Sequence, residues 1–256
     1  MRRAKADSPA WQLFMDIDPD LALLQEVSGV PEAISKSYEL TTHLAAGGSW
    51  GESLRVKTAI LARGAIGEEI RLTSRWAWLN RELEHFRGNL LAYHVTVLDQ
   101  KFRVLSAYCP PWPIRADRLE GIDITPVKLA QNSKLWVTEL LWAGLLDACL
   151  SHEAGPWIVG GDLNSSETFD VPRPRGNKEV LDRMQKLGLR ECLRLWNGAL
   201  VPTFRTPRGG FVVHQMDHLF VSELLAKRLV SCTTCHQDRV FDNKLSDHLP
   251  LVADFS

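Results

Sequence analysis

Short apolar runs alternate along the chain with stretches whose apolar residues recur every three or four positions. This mixture of strand and helix periods predicts a mixed α/β domain. Ser8-Pro9 opens the first helical stretch, with Ser8 as cap, Pro9 at the first helical position, and Trp11, Leu13, Phe14 and Ile17 following. Asp18-Pro19-Asp20 breaks it. Residues 21–27, Leu-Ala-Leu-Leu-Gln-Glu-Val, read as a buried strand ending in a carboxylate. Further strands are predicted at 58–61, 90–97, 103–108, 157–160, 215–221 and 249–255, with Asp99-Gln100 as a hairpin turn. Helices are predicted over 134–150 and 178–187, the second stopped by Gly188. Loops rich in Pro and Gly fall at 109–113, 171–177 and 207–210. None is long enough for a domain linker and no repeat is visible, so residues 1–256 read as one domain with functional loops at strand ends.

Composition narrows the setting. A length of 256 residues allows a sizeable core, and 45% hydrophobic with 24% charged residues is ordinary for a soluble globular protein. The formal net charge of −1 gives no bulk attraction for a polyanion, although a local basic surface stays open. Five scattered cysteines, an odd number, fit reduced thiols in a cytoplasm. The charged start, Met1 to Asp7, leads into no long apolar run and does not read as a signal peptide. Residues 135–150 are interrupted by Glu139 and Asp147 and are too short for a membrane span. A cytoplasmic monomer without a membrane span is the expectation.

Four segments end or interrupt an apolar run with acidic or amide residues. They are Leu-Leu-Gln-Glu-Val around Glu26, Gly-Gly-Asp-Leu-Asn-Ser around Asp162 and Asn164, Gln-Met-Asp-His-Leu-Phe-Val-Ser around Asp217, and Ser-Asp-His-Leu-Pro-Leu around Asp247 and His248. Carboxylates among buried strands are costly unless compensated, and a hard divalent cation compensates them. Such an ion polarises a phosphoryl oxygen and helps to generate hydroxide from water, while a nearby Asp takes or orients the proton. Asn and His supply donors to phosphate oxygens as charge builds. Each segment alone also has a plainer reading. Glu26 could be a surface carboxylate at a strand end. Asp162 and Asn164 could form a turn, and Asp217-His218 a polar pair at a sheet edge. The four together, in this order, are far more specific.

Their order and wording resemble the endonuclease/exonuclease/phosphatase superfamily, which includes pancreatic DNase-like nucleases, exonuclease III-type AP endonucleases, sphingomyelinases and inositol-polyphosphate phosphatases. The resemblance runs from Trp11 to Phe255. It implies a two-sheet α/β sandwich, of the four-layer α+β kind with helices outside, and a site at one end of the sheets. It implies a phosphoesterase using Mg²⁺ or Mn²⁺, with a phosphate ester, nucleic acid among the candidates, as substrate. Glu26 resembles the principal metal ligand and Asp247 a second metal-proximal acid. Asp162 resembles the water-activating aspartate, Asn164 a phosphate-contacting amide, Asp217 the carboxylate that orients the terminal histidine, and His248 that histidine. Tyr108, in Leu-Ser-Ala-Tyr-Cys-Pro, resembles the tyrosine of the AP-endonuclease branch; it could equally be a core aromatic.

One departure matters. Family members usually begin with a strand carrying Trp-Asn, whose asparagine helps to bind metal; here a helix comes almost at once, so the first strand is absent. Either upstream residues are missing from the chain or the protein lacks that strand, leaving a central position empty. The alternative function is then a catalytically impaired binding protein on the same scaffold.

Two weaker patterns complete the reading. Cys232-Thr-Thr-Cys235-His236 has the C-x-x-C-H spacing of haem attachment, which needs export; two small residues of a strand is the plainer reading. Arg71, Arg75, Arg81 and Arg87 surround Trp76 and Trp78; this could bind single strands by stacking, but an amphipathic segment over the core is commoner.

Overall fold

The computed structural model describes residues 3–47, 53–150, 155–207 and 210–256. In chain order these form α1 (Ala10–Ile17), β1 (Leu21–Val27), α2 (Glu32–Ser37), β2 (Glu39–Ala46), β3 (Ser53–Ala62), β4 (Ala65–Glu69), α3 (Ala77–His85), β5 (Leu90–Val97), β6 (Gln100–Tyr108) and α4 (Val137–Leu150). There follow β7 (Trp157–Asp162), α5 (Asn177–Lys186), β8 (Leu189–Glu191), α6 (Cys192–Asn197), β9 (Phe204–Arg205), β10 (Val212–His214), β11 (Asp217–Ser222), α7 (Glu223–Ala226), β12 (Leu229–Thr234) and β13 (Leu251–Phe255). Met1, Arg2 and the Arg208-Gly209 part of the expected loop at 207–210 lie outside the described residues.

Six strands form the large sheet, in the order β4-β5-β6-β7-β11-β8. Its pairs are antiparallel except β6 with β7, which are parallel and joined through the crossover helix α4. The opposing layer comes in two pieces, β1-β3-β2 and β12-β13. The first packs over β5, β6 and β7, and β13 packs on β11. Between the layers lie Ile60, Leu91, Val104, Ile158, Val221 and Cys232. On the far face of the large sheet, helices α3, α4 and α5 bury Leu79, Leu83, Leu140, Leu141, Val180 and Met184 against Leu105, Trp157 and Val159. On the outer face of β3, α1 and α2 contribute Trp11, Phe14 and Ile34. The result is the expected four layers, helix, sheet, sheet, helix.

Local chemistry moves several boundaries. The first helix starts at Ala10, with Pro9 as its cap residue and the Ser8 hydroxyl accepting from the Ala10 N–H at 3.3 Å. The hairpin turn is Leu98-Asp99, one residue earlier than predicted, and both residues have positive φ (49° and 60°), as a two-residue hairpin turn requires. Pro250 has no N–H to give, so the last strand begins at Leu251 rather than at 249. Strands β2 and β4 were not legible, because their polar positions mask the alternation, while the strand suggested at Cys232 is β12, which ends at Thr234. No strand precedes α1 among the described residues; Ala4 alone makes an isolated parallel bridge to Val27.

Candidate active site

Strand register brings three of the predicted residues to one end of the large sheet. Tyr108 ends β6 and stands opposite Asp162, which ends β7; Asp162 in turn stands opposite Asp217, which begins β11. The close approach of β6 and β7 just before this point depends on Gly161, whose φ is +142° and where an added Cβ would sit 2.0 Å from the Ala107 carbonyl oxygen.

Glu26 comes from the facing layer. Pairing of β1 with β3 slips between Leu24 and Val27, and Glu26 has φ +56°. The slip is a bulge that re-aims the side chain at the strand end. The Tyr108 hydroxyl donates to Glu26 Oε1 at 2.9 Å. Burial, with the Glu26 and Asp162 carboxylates, pushes the Tyr108 pKa far up, so the phenol stays protonated and acts as a donor.

Asp162 is held by the residue two positions on. The Asn164 backbone N–H donates to Asp162 Oδ1 and its Nδ2 to Oδ2, both at 2.9 Å, while Nδ2 also donates to the Cys109 carbonyl at 2.9 Å. Both side-chain partners are acceptors, which fixes the amide orientation. Asn164, the expected phosphate-contacting amide, thus lies against the Asp162 carboxylate. Its φ of +47° is of the kind asparagine tolerates. Burial raises the Asp162 pKa; His248 pulls it down, and Asp217 and Glu26 push it further up.

Asp217 and His248 form the other half. His248 Nδ1 lies 2.8 Å from Asp217 Oδ2, and that oxygen also accepts from the Thr203 hydroxyl at 2.7 Å. Burial works against charge on His248, but Asp217, then Asp162 and Asp247, outweigh it and raise its pKa, favouring the imidazolium. The strand-like contact of residues 203–205 with 247–249 fixes the ring: Phe204 bridges His248, Leu249 N donates to Thr203 O at 2.7 Å, and Arg205 N to Asp247 O at 2.8 Å. Phe204 also packs on the imidazole, with centroids 4.8 Å apart.

Asp162, Asp217 and His248 offer ligand atoms within 4.8 Å of one another. Glu26 and Asp247 fall outside that group. Glu26 is linked to it through Tyr108, and Asp247 acts on His248 by its charge. Thr203, just before β9, and Phe204, at its start, carried no sequence signal, because they lie far along the chain from the residues they hold. Behind Asp217, the buried His218 places Nε2 3.0 Å from the Ser165 carbonyl and Nδ1 3.2 Å from Gln215 Nε2. A carbonyl only accepts, so Nε2 carries the proton and Nδ1 accepts from the amide.

The weaker patterns take structural places. Cys232 is buried in β12 and all five cysteines are free thiols. Arg71 pairs with Glu84 and Glu69, Arg75 with Asp147, Arg81 with Glu82 and Arg87 with Glu69, while Trp76 and Trp78 pack on the core.

A sequence profile of the endonuclease/exonuclease/phosphatase family matches residues 10–248. The chain belongs to that family. Solved structures with the same fold include an AP endonuclease from Archaeoglobus fulgidus, 19% identical with a TM-score of 0.63 over 98% of this chain and 96% of that one. The 3′ phosphatase NExo from Neisseria, bound to product DNA hairpin, is 17% identical with a TM-score of 0.64 over 98% and 97%. The AP endonuclease LMAP from Leishmania major is 19% identical, with a TM-score of 0.58 over 94% and 80%. No curated protein matches the sequence.

Within this family member the donor set suits a hard cation. It is rich in carboxylate oxygen, and Asp162 is buried beside Asp217 and Glu26 with mutual repulsion that a cation would relieve. The Asp217–His248 pair already balances its own charge, which leaves Glu26 and Asp162 as the side that would gain most.

Proposed function

We propose that this protein hydrolyses phosphate esters with the help of a divalent cation, Mg²⁺ or Mn²⁺. The observation that carries the reading is the meeting of Glu26–Tyr108, Asp162–Asn164 and Asp217–His248 at one end of the two sheets. Glu26 would hold the ion, with Asp247 the second acid suggested by the family pattern. When bound, the ion would polarise a phosphoryl oxygen and make bound water more acidic.

The remaining work falls to the side chains. Tyr108 donates to Glu26 and keeps its carboxylate turned toward the site. Asp162, oriented by two hydrogen bonds from Asn164, takes the proton of the attacking water; its raised pKa brings it closer to the working pH of a general base. Asp217 holds His248 by Nδ1, so that Nε2 presents a cationic donor to a phosphate oxygen as charge develops. Thr203 keeps Asp217 from turning away.

Phosphodiesters of nucleic acid and phosphomonoesters both suit this arrangement, and the DNA-bound 3′ phosphatase neighbour makes nucleic acid the first class to test. The test is turnover of bis-p-nitrophenyl phosphate and p-nitrophenyl phosphate, each with Mg²⁺, Mn²⁺ or EDTA. Turnover with metal and its loss in EDTA support the reading, and turnover undiminished by EDTA sinks the metal assignment. The break in the second layer favours one competing reading, a binding protein with an impaired site. The intact set of Glu26, Asp162, Asn164, Asp217 and His248 weighs against it.

A further inference from the structure

Asn89 is fully buried between α3 and β5, and its side chain joins the two sheets beside the Tyr108–Glu26 pair. Its own N–H goes back to the Phe86 carbonyl at 2.8 Å, closing the turn after α3. Leu90 pairs with Ala107, so the ladder of β5 with β6 places Asn89 opposite Tyr108. In a hydrogen-bonded antiparallel pair each residue gives its N–H to the other's carbonyl. Tyr108 N donates to Asn89 O at 2.8 Å, but the Asn89 N–H is already engaged with Phe86. The side-chain amide supplies the missing donor, with Nδ2 3.1 Å from the Tyr108 carbonyl oxygen.

The same amide reaches the facing layer. Oδ1 accepts from Ala46 N at 2.7 Å, and Nδ2 donates to Ala46 O at 3.2 Å, closing the end of β2. One donor meets Oδ1 and two acceptors meet Nδ2, so a single orientation of the amide satisfies all three contacts. Gly88 lets β2 come this close, since an added Cβ there would sit 1.8 Å from the Leu44 carbonyl oxygen. One planar group thus ties the end of β2 to the end of β6.

Tyr108 bridges the same gap. Its ring packs with Ala45 of β2 and Val56 of β3, and its hydroxyl donates to Glu26 Oε1 at 2.9 Å. The length of that bond depends on the spacing of the layers, which the Asn89 amide holds from the Tyr108 backbone on one side and from β2 on the other.

We infer that Asn89 is a positioning residue: its amide sets the place of Tyr108 against Glu26, and it acts on the chemistry through that pair. The effect on turnover rests on the proposed hydrolase; the effect on the Tyr108 hydroxyl does not.

The test uses the full chain carrying Asn89→Asp, which keeps the acceptor for Ala46 N and loses the Nδ2 donors, or Asn89→Ser, which removes the amide without burying a charge. The Tyr108 hydroxyl proton is followed by NMR and assigned by its loss in Tyr108→Phe. In both variants its exchange with water is expected to quicken by roughly tenfold or more beyond any change in the amides of α4, the scale of one lost hydrogen bond. With bis-p-nitrophenyl phosphate and Mg²⁺, kcat is expected to fall roughly tenfold with KM little changed, the scale of a loosened orienting contact. On a Tyr108→Phe background the same substitutions should change kcat by less than about twofold, because the contact they loosen is already gone. A hydroxyl proton that exchanges at the parental rate overturns the inference, and so do equal losses of kcat on the two backgrounds. A parent chain without turnover counts against the hydrolase reading alone, because the hydroxyl proton still decides whether Asn89 positions Tyr108.

Discussion

Asp162 is buried and crowded by Asp217 and Glu26, and its cost in folding is the counterpart of the base role proposed for it. Asp162→Ala should abolish turnover while circular dichroism and Tm show the fold intact, since the carboxylate contributes repulsion as well as hydrogen bonds. Thr203 makes a different prediction. Its hydroxyl donates to Asp217 and accepts from Met216 N at 3.0 Å and Asp217 N at 3.1 Å. Thr203→Val leaves two backbone donors unpaired, which should cost about 1–3 kcal/mol of stability in denaturant unfolding. It should also lower kcat by roughly tenfold, the scale of a loosened orienting contact. Serine at this position keeps the hydroxyl and should restore kcat. Sequence reasoning found the residues that carry charge, because a carboxylate next to an apolar run is conspicuous. It missed Thr203 and Phe204 because what makes them matter is contact with residues 247–249, which local pattern does not encode. The Asn164 amide, suggested by the family pattern as a phosphate contact, donates to Asp162 and to the Cys109 carbonyl.

Among the elements, α4 holds a testable oddity. Glu139 in its first turn is fully buried; Oε2 accepts from Trp136 N and the Thr138 hydroxyl, and Oε1 has no partner. Burial pushes its pKa up from 4.5 to about 7. Below pH 4.5 the group is protonated in folded and unfolded chains alike and its contribution is fully present; as pH rises through about 7 the folded chain must ionise a buried carboxyl, and that stability is lost. The Glu139→Gln variant should therefore show a flatter fall of Tm between about pH 5 and pH 8. A fall as steep as that of the parent would show that Glu139 is not the titrating group. Another element-level prediction concerns β7: Gly161→Ala must push a Cβ into the Ala107 carbonyl and should fail to fold or unfold many degrees lower. The strongly apolar strands and the longer helices were legible from periodicity. The hairpin turn was placed one residue late because Leu98, at positive φ, has none of the residue types that mark such turns.

At the scale of the whole molecule, the four-layer sandwich followed from the family pattern, and among the described residues no strand precedes α1. What the sequence could not convey is that, among the described residues, the second layer comes in two pieces, β1-β3-β2 and β12-β13. Layering also explains why residues distant in sequence meet. The ends of β6 and β7 and the start of β11 share one rim, and the β1 bulge and the 203–205 contact aim Glu26 and His248 at it. Whether this meeting point is catalytic is decided by hydrolysis of bis-p-nitrophenyl phosphate in Mg²⁺ by the parent chain, Asp162→Ala and His248→Ala, each checked for folding by Tm. Turnover by the parent is expected, with a loss of roughly a hundredfold or more in both folded variants, the scale of a lost general base or transition-state donor. Parental rates in either folded variant would contradict it.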